Sequence, residues 1–264
     1  MTTRSSPKGL ALRLLPERVL HCAKKIHYAQ VLRRFTEDEE PDLRVVKFLV
    51  NRGECVADIG ANIGVYSKYL SEQTGPSGHV ISIEPIPATY EILCSNMRRL
   101  TLKNVETRNC AISDMVGQVT MIVPEYDSGG ENFYAAHIKR GTADESLRCF
   151  TVQTLTVDAL LSSMPVQFVK CDVEGHEYNC IRGAAGTIER SKPAWLIEVS
   201  GDMAEERSRS YATRRILADS GYRPCWYDGM KLREWQPGTR SVNYFFLTDQ
   251  QVANLGAKGL PLDI

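Results

Sequence analysis

Apolar and polar positions alternate along the chain in blocks that are typical of an α/β domain. Short apolar runs, bounded by glycine, proline or polar residues, predict strands, and the stretches between them have helical spacing. Strands are expected at 54–59, 79–84, 105–112, 166–172 and 194–198, and helices at 43–51, 63–73, 90–100, 177–189 and 204–220. This alternation predicts a doubly wound, mostly parallel sheet with helices on both faces.

The rest of the main domain gives three further expectations. Residues 118–123 and 148–154 are expected to be extended, and 157–162 to form a short helix. Between the two extended pieces, 124–147 is too long and polar for an ordinary crossover, so it is expected to be functional or mobile. Residues 222–227 and 242–248 are expected to pair as an antiparallel hairpin that closes the sheet.

The amino-terminal region is interpreted as a separate segment. The first 35 residues hold eight Lys or Arg and one Glu, and 10–35 have helical spacing. A basic amphipathic helix can lie on an anionic membrane surface, but packing on the main domain, or over a pocket in it, is the preferred interpretation. The acidic run 36–41 is expected to be a solvated linker. The chain is therefore divided at 1–41, 42–250 and 251–264, the last being a tail.

The composition of the chain argues against several kinds of partner, metal site and membrane segment. The 32 basic and 32 acidic residues balance, so the net charge gives no argument for a nucleic-acid partner. The eight cysteines are scattered without a Cys-x-x-Cys pair, which argues against a structural zinc site and fits a reducing compartment. No stretch is long and apolar enough to span a bilayer, and the start lacks the pattern of a signal peptide. A cytoplasmic protein is expected; the oligomeric state is left open.

Residues 56–67 contain the most informative motif: a buried strand, a glycine-rich turn and the first turn of a helix. Gly60 is expected to allow the sharp turn, where a side chain would clash. Gly64 is expected to let the helix lie close to the strand, with Ala61 and Asn62 between the two glycines. Asp58 directs a carboxylate towards the amino end of the new helix. Together these features predict a pocket for a cofactor that carries a nucleoside.

Two residues of this motif distinguish an S-adenosylmethionine site from a dinucleotide site. A dinucleotide site needs a second glycine where the backbone approaches the pyrophosphate, but Asn62 occupies that place and Asp58 would repel the phosphates. A carboxylate suits the ammonium group and ribose hydroxyls of S-adenosylmethionine (SAM), so SAM is preferred over NAD(P). Glu84, at the end of the second strand, is expected to accept ribose hydroxyls from either cofactor. An NAD(P)-dependent oxidoreductase is the alternative.

The end of the third strand is expected to form the adenine wall of the pocket. Cys110 and Ala111 would offer backbone groups there, and Asn109 and Asp114 are the polar candidates. Asp114 has an equally weighted alternative, which is to cap the turn at 115–117.

A second polar cluster follows the fourth strand, at the edge of the sheet where ligands bind in such folds. Asp172, Glu174 and His176 are the candidates for catalysis there, because methyl transfer to oxygen needs a base that removes the acceptor's proton. Asp172 is the strongest candidate. Glu174 and Glu177 have the alternative of stabilising the next helix's dipole, and His176 that of a solvent-facing cap.

Glu198 ends the fifth strand beside the same crevice and is a further catalytic candidate. Asp172 and Glu198 could together bind a divalent cation such as Mg²⁺ or Mn²⁺, because carboxylates suit hard cations. The sequence does not provide an evident third ligand, so a metal is left undecided.

The chain resembles the FkbM family of SAM-dependent methyltransferases over about residues 45–200. The resemblance rests on DIGANIG at 58–64, IEP at 83–85, N-x-AISD at 109–114, K-x-DVEGHE at 170–177 and IE at 197–198. In this family's motifs, Asp58, Gly60, Asn62, Gly64 and Glu84 match cofactor positions, and Asp172, Glu174 and His176 match the active crevice. Ala61 and Pro85, which lie beside these cofactor positions, are further cofactor-binding candidates.

The resemblance implies a class I methyltransferase fold, usually a seven-stranded sheet with one antiparallel strand. It also implies methyl transfer to a hydroxyl of a sugar, glycolipid or polyketide-like small molecule. The segments 1–41 and 124–147 fall outside the common pattern and are expected to set the acceptor. A SAM-binding protein without catalysis is a further alternative, which the acidic crevice argues against.

Overall fold

The computed structural model of the protein describes residues 17–123, 137–138, 148–162 and 164–264. The strands are β1 (Cys55–Ile59), β2 (His79–Ile83), β3 (Val105–Arg108), β4 (Ala111–Ile112), β5 (Gly117–Val123), β6 (His137–Ile138), β7 (Arg148–Leu155), β8 (Val166–Cys171), β9 (Ala194–Glu198), β10 (Tyr222–Tyr227), β11 (Leu232–Glu234), β12 (Asn243–Thr248) and β13 (Leu262–Asp263). The helices are α1 (Glu17–Arg34), α2 (Leu43–Leu49), α3 (Val65–Thr74), α4 (Pro87–Arg99), α5 (Val157–Leu161), α6 (Glu177–Arg182), α7 (Ala185–Ser191), α8 (Arg209–Asp219) and α9 (Asp249–Ala257).

The main sheet of the described residues has nine strands in the order β13-β11-β10-β12-β9-β8-β1-β2-β3. The five strands from β9 to β3 in this order are parallel, and β12 is antiparallel to both β9 and β10. The predicted fold class is thus confirmed, including the antiparallel C-terminal strand and the pairing of 222–227 with 242–248. Beyond the seven strands that the resemblance implies, β11 and β13 extend one edge.

The register of the central strands places polar residues of separate motifs side by side. Asp58 of β1 is the register partner of Ser82 on β2 and of Lys170 on β8. One apolar core, including the fully buried Trp195, lies on one face of the sheet, and a second, including Phe168, lies on the other. Because both faces are covered, polar side chains of these strands lie in the protein interior, and they need hydrogen-bond partners there.

Helix α1 packs on α4. Leu32 is fully buried in a cluster with Leu93 of α4, and the Lys25 ammonium donates to the Glu91 carboxylate at 2.9 Å. Across the described ranges, no helix has the length and hydropathy needed to cross a membrane.

Two predicted elements are divided in the structure. The predicted strand 105–112 leaves the main sheet after Arg108, and β4 pairs with β7 in a second, four-stranded sheet. The predicted helix 177–189 is interrupted at Gly183, where a Cβ would overlap the carbonyl oxygen of Ser113. Both breaks arise from partners that are distant in sequence, so the local pattern does not contain them.

The remaining differences concern ends of elements. The predicted helix 204–220 begins only at Arg209, because the Ser208 hydroxyl accepts the backbone N–H of Tyr211 and caps it. The expected tail contains most of α9, which a capping box of Thr248 and Gln251 starts, and β13. Within the predicted loop 124–147, only 137–138 lie inside the described residues, and they pair with β5. The division of the chain at 41 and 250 stays a prediction.

Candidate active site

A cavity of about 280 Å³ lies at the carboxyl ends of β1, β2 and β8, where the sequence predicts a site. Its lining includes all the predicted residues of the glycine-rich turn except Gly64, together with Glu84 and Pro85 on one side and Asp172, Glu174 and His176 on another. The structure therefore brings both predicted clusters to one cavity.

Glycine is required at position 60 because of the backbone conformation there and because of the atoms that lie close to it. Its φ of +81° lies in the left-handed region that favours glycine, and its N–H donates to the Ile83 carbonyl at 3.0 Å. A Cβ at this position would overlap the carbonyl oxygen of Asp172. The turn after β1 therefore lies directly against the turn after β8, which joins the two halves of the site.

Gly64 has a different partner from the predicted one. A Cβ on Gly64 would lie 2.6 Å from Met97 Cε and 2.8 Å from Leu93 Cδ1, both on α4. The expectation that Gly64 lets α3 approach β1 is thus wrong, because Gly64 instead lets α4 approach the turn. Helix α4 begins more than 20 residues further along the chain, so this contact forms only in the folded state.

Glu84 is held by backbone donors on both of its oxygens. Asn62, in the left-handed region at φ +49°, donates its N–H to Oε2 at 3.0 Å, and Ile86 donates to Oε1 at 2.9 Å. The side chain is only 6% exposed. Burial raises the pKa of Glu84 to about 7, against the opposing effect of the two N–H groups. The carboxyl group is thus fixed in orientation at the cavity wall.

Asp58 is fully buried, and its two oxygens differ. Oδ2 accepts the Ser67 hydroxyl at 2.6 Å, whereas Oδ1 has no hydrogen-bond partner among the described residues. Burial raises the pKa of Asp58, and the nearby Lys170 ammonium opposes that shift. A buried carboxylate oxygen without a partner at a cavity is suited to a ligand that brings a hydrogen-bond donor.

Two residues of the predicted adenine wall lie at the cavity, and the adenine role itself stays a prediction. Cys110 and Ala111 line the cavity beside the apolar Met121 and Ile138, which makes this end suitable for a flat, apolar ring. Asn109 lies behind the wall, where its amide donates to the carbonyls of Glu84 (2.8 Å) and Pro85 (3.0 Å).

The structure does not place Asp114 in the cavity lining. Its carboxylate instead accepts the Asn179 amide at 3.0 Å and pairs with Arg182 at 3.1 Å. The Asn179 hydrogen bond is the main cause that lowers the pKa of Asp114. These partners sit on α6, which the sequence pattern did not connect with this turn.

Asp172 is anchored by an ion pair with Lys170. The Lys170 ammonium, which is buried, lies 2.8 Å from Asp172 Oδ2 and 4.7 Å above the centre of the Tyr66 ring. Burial alone would lower the pKa of Lys170, but the charges of Asp172 and Asp58 outweigh it and raise that pKa. Lys170 therefore stays cationic, and its ion pair fixes the orientation of the Asp172 carboxylate.

Glu198 lies next to Asp172 but faces a neighbouring cleft, which it lines with Ser200 and Arg209. Burial, followed by the negative charge of Asp172, raises the pKa of Glu198 to about 7. In the described ranges there is no group of three or more His, Cys, Asp or Glu side chains that could hold a metal ion, so Asp172 and Glu198 have no third ligand there.

The turn between β8 and α6 presents Glu174 and His176 to the cavity. Glu174 has a left-handed φ of +51°, and the Glu177 carboxylate accepts the Gly175 N–H at 2.9 Å, which closes the turn. His176 is only 8% exposed, and its Nε2 lies 2.9 Å from the Ser113 hydroxyl. His176 is thus not a solvent-facing cap, and Glu177 holds the turn.

Three polar lining residues have no role predicted from the sequence: Glu40, Tyr66 and Lys170. A lysine inside an otherwise apolar strand was a signal for Lys170. Glu40 belongs to the run interpreted as a solvated linker, yet it is partly buried, and burial raises its pKa. That interpretation is wrong for Glu40, because the turn before α2 folds over the cavity.

Comparison with known sequences gives a family match. The sequence profile described as "Methyltransferase FkbM domain" matches residues 58–224, which is more than half of the chain. Similar proteins include "Methyltransferase sdnD" of Sordaria araneosa, 26% identical over 156 residues (48% of this chain, 59% of that protein). "Methyltransferase 1" of Beauveria bassiana is 23% identical over 191 residues (65% of this chain, 75% of that protein). The chain thus spans less than two thirds of the first relative.

Among solved structures, the FkbM methyltransferase of Methylobacillus flagellatus KT aligns with a TM-score of 0.48 and 20% identity, over 73% of this chain and 43% of that chain. Fibrillarin of Aeropyrum pernix, solved with bound SAM, aligns with a TM-score of 0.46 and 13% identity, over 77% of this chain and 72% of that chain.

Proposed function

The chain belongs to the FkbM methyltransferase family, whose profile matches more than half of its length, and from that premise we propose that it transfers a methyl group from SAM to a hydroxyl of a sugar, a glycolipid or a polyketide-like small molecule. One observation carries the proposal: a single cavity is lined both by the glycine-rich turn with Glu84 and by the ion-paired carboxylate of Asp172.

In the proposed complex, each part of SAM would have a partner among the lining residues. Glu84, held by two backbone N–H groups, would accept the ribose hydroxyls, and Cys110 and Ala111 would contact the adenine. The partnerless Oδ1 of Asp58 would accept the ammonium group. Bound SAM supplies a sulfonium with an electrophilic methyl group.

Asp172 is proposed as the base that accepts the proton of the acceptor hydroxyl. The Lys170 ammonium lies 2.8 Å from Asp172 Oδ2, so an acceptor placed over the cavity would meet a carboxylate of set orientation. His176 is the alternative base, but its Nε2 already lies at hydrogen-bond distance from Ser113. Glu174 and Glu198 would then contact the acceptor from the two sides of Asp172.

The reaction can be tested directly with SAM that carries a labelled methyl group and a panel of hydroxylated glycans, glycolipids and macrolides. Label should appear in at least one hydroxyl-bearing acceptor as a methyl ether. Calorimetric titration with SAM and with NADH tests the cofactor separately. Tight binding of NADH without binding of SAM would replace the proposal with the oxidoreductase alternative.

Glu84→Ala should weaken SAM binding by about 1–3 kcal/mol, the cost of leaving a buried polar group without its partner. Titration calorimetry measures the change. Glu72→Gln is the control, because Glu72 is on the solvent side of α3 in an ion pair with Lys68 and should leave the affinity unchanged. An unaltered SAM affinity in Glu84→Ala would contradict the ribose role.

SAM affinity should also rise as the pH increases through about 7. In the protein without ligand, burial raises the pKa of Glu84 to about 7, so the carboxyl group is mostly neutral below that pH. Ribose hydroxyls donate to the charged form, which lowers the pKa on binding and releases a proton. Calorimetry in two buffers of different ionisation enthalpy, at a pH just below 7, should detect this proton. The same pH dependence in Glu84→Ala would assign the effect to another group.

A further inference from the structure

The turn before α2 contributes an acidic side chain to the cavity from outside the family's matched region. Glu40 lines the cavity, and the charges of Lys170 and Asp172 both act on its pKa, which places Glu40 near the ion pair. The matched region starts only at residue 58. Glu40 thus lies 18 residues before the matched region.

This turn is held in place by two hydrogen bonds and by the burial of Leu43. The Leu43 N–H donates to the Glu40 carbonyl at 3.0 Å, and the Asp42 carboxylate accepts the Asn243 amide of β12 at 2.9 Å. Leu43 itself is fully buried. Glu40 is thus presented by an ordered turn that is tied to the main sheet.

Tyr66 faces the same part of the cavity. It lies two residues after Gly64, is 7% exposed, and its hydroxyl has no hydrogen-bond partner among the described residues. Burial, followed by the charges of Asp42 and Glu40, raises the pKa of Tyr66 well above its usual value. The hydroxyl therefore keeps its proton and can act as a donor. A buried donor without an acceptor is unfavourable, so an acceptor atom on a ligand in this cavity would stabilise it.

The groups that remain unmatched at this end suit an α-amino acid. Lys170 is matched by Asp172 at 2.8 Å, which leaves an acceptor on Asp58 Oδ1, a second carboxylate on Glu40 and a donor on Tyr66. An ammonium group has several N–H donors and an α-carboxylate has acceptors, so a zwitterion satisfies both sets together.

We propose that Glu40 and Tyr66 form the subsite for the amino-acid end of SAM, in which the Glu40 carboxylate accepts a hydrogen bond from the ammonium group and the Tyr66 hydroxyl donates to the α-carboxylate. The proposal rests on the proposed use of SAM by this cavity. It makes the segment before α2 part of the cofactor site, in addition to the motif that begins at Asp58.

The test compares four ligands by titration calorimetry on the full chain. SAM and S-adenosylhomocysteine carry both amino-acid groups, decarboxylated SAM keeps only the ammonium group, and methylthioadenosine lacks both. The variants are Glu40→Gln and Tyr66→Phe, which keep the size of each side chain. Glu39→Gln is the matched control, because Glu39 is exposed and the amide oxygen of the introduced glutamine can still accept the Thr36 N–H.

Glu40→Gln should weaken SAM, S-adenosylhomocysteine and decarboxylated SAM by about tenfold each, as expected for loss of a charged hydrogen bond. Tyr66→Phe should weaken the first two and leave decarboxylated SAM unchanged. Methylthioadenosine should bind all variants equally, and Glu39→Gln should match the wild type with every ligand.

Four results would overturn the inference. An equal loss for methylthioadenosine would mean that the substitutions only disturb the fold of the cavity. Loss of SAM with retained S-adenosylhomocysteine would place Glu40 at the sulfonium instead of the ammonium group. Unchanged affinities in both variants, with a wild type that binds SAM, would remove the subsite and leave the proposed function intact. A wild type that binds none of the four ligands would overturn the proposed function itself, and the subsite with it.

Discussion

Asp172→Asn should lower the rate of methyl transfer by about 10²- to 10⁴-fold, the contribution typical of a positioned general base. An amide has the shape of the carboxylate but cannot accept the acceptor's proton. Affinity for SAM should change little, because Glu84 and Asp58 are the residues proposed to hold the cofactor. The rate is measured with labelled SAM at saturation on an acceptor from the panel, and the affinity by calorimetry.

The fold should survive this substitution. Lys170 loses its nearest counter-charge, but the carboxylates of Asp58 and Glu198 also act on its pKa and remain in place. A thermal melt checks this point. Asp219→Asn, on the exposed side of α8, is the control and should behave as wild type. If Asp172→Asn keeps its transfer rate, Asp172 is not the base, and His176 becomes the residue to test.

Gly60→Ala should destabilise the protein by about 3 kcal/mol or more, since it combines left-handed backbone strain with a steric overlap. The overlap is with the carbonyl oxygen of Asp172, which is backbone and cannot move without separating the ends of β1 and β8. SAM binding should be lost with it, because the same turn holds Asn62 against Glu84. Chemical denaturation measures the free energy of unfolding, and calorimetry the affinity.

Gly229→Ala separates the two causes. Gly229 has a similar φ of +91°, but a Cβ there would have no atom within 4 Å. In this variant only the left-handed backbone strain is introduced, which should lower the free energy of unfolding by roughly 1–2 kcal/mol. The variant should bind SAM normally. Equal losses of stability in the two variants would show that the contact with Asp172 adds nothing.

Much of the site could be predicted because parallel strands align their carboxyl ends. Asp58, Glu84 and Asp172 each follow or end an apolar run, and in a doubly wound sheet such positions meet at one edge. The order of the elements is enough for this prediction, but it carries no information on the contacts of helices that cross the edge. For this reason Asp114, expected as a candidate at the adenine wall, lies outside the cavity lining, and Gly64 contacts α4 instead of the expected partner.

Glu40 shows most clearly what the local sequence pattern cannot predict. Its neighbours in sequence are acidic and polar, which by local pattern alone predicts solvent exposure. Its burial follows from Asp42 binding Asn243, about 200 residues further along the chain. The paired donors on Glu84 and the missing partner of Asp58 Oδ1 are likewise properties of the assembled site, with no counterpart in composition or spacing.

The sequence by itself determined the type and order of the elements, the glycine-rich turn, the family and the edge of the sheet at which the site lies, because these depend on side-chain periodicity and on backbone restrictions near each residue. Tertiary structure alone decided which carboxylates are paired, which are left with an open oxygen, and which distant turn covers the cavity. Those outcomes depend on burial and on distances between strands, and both arise only when the sheet has formed.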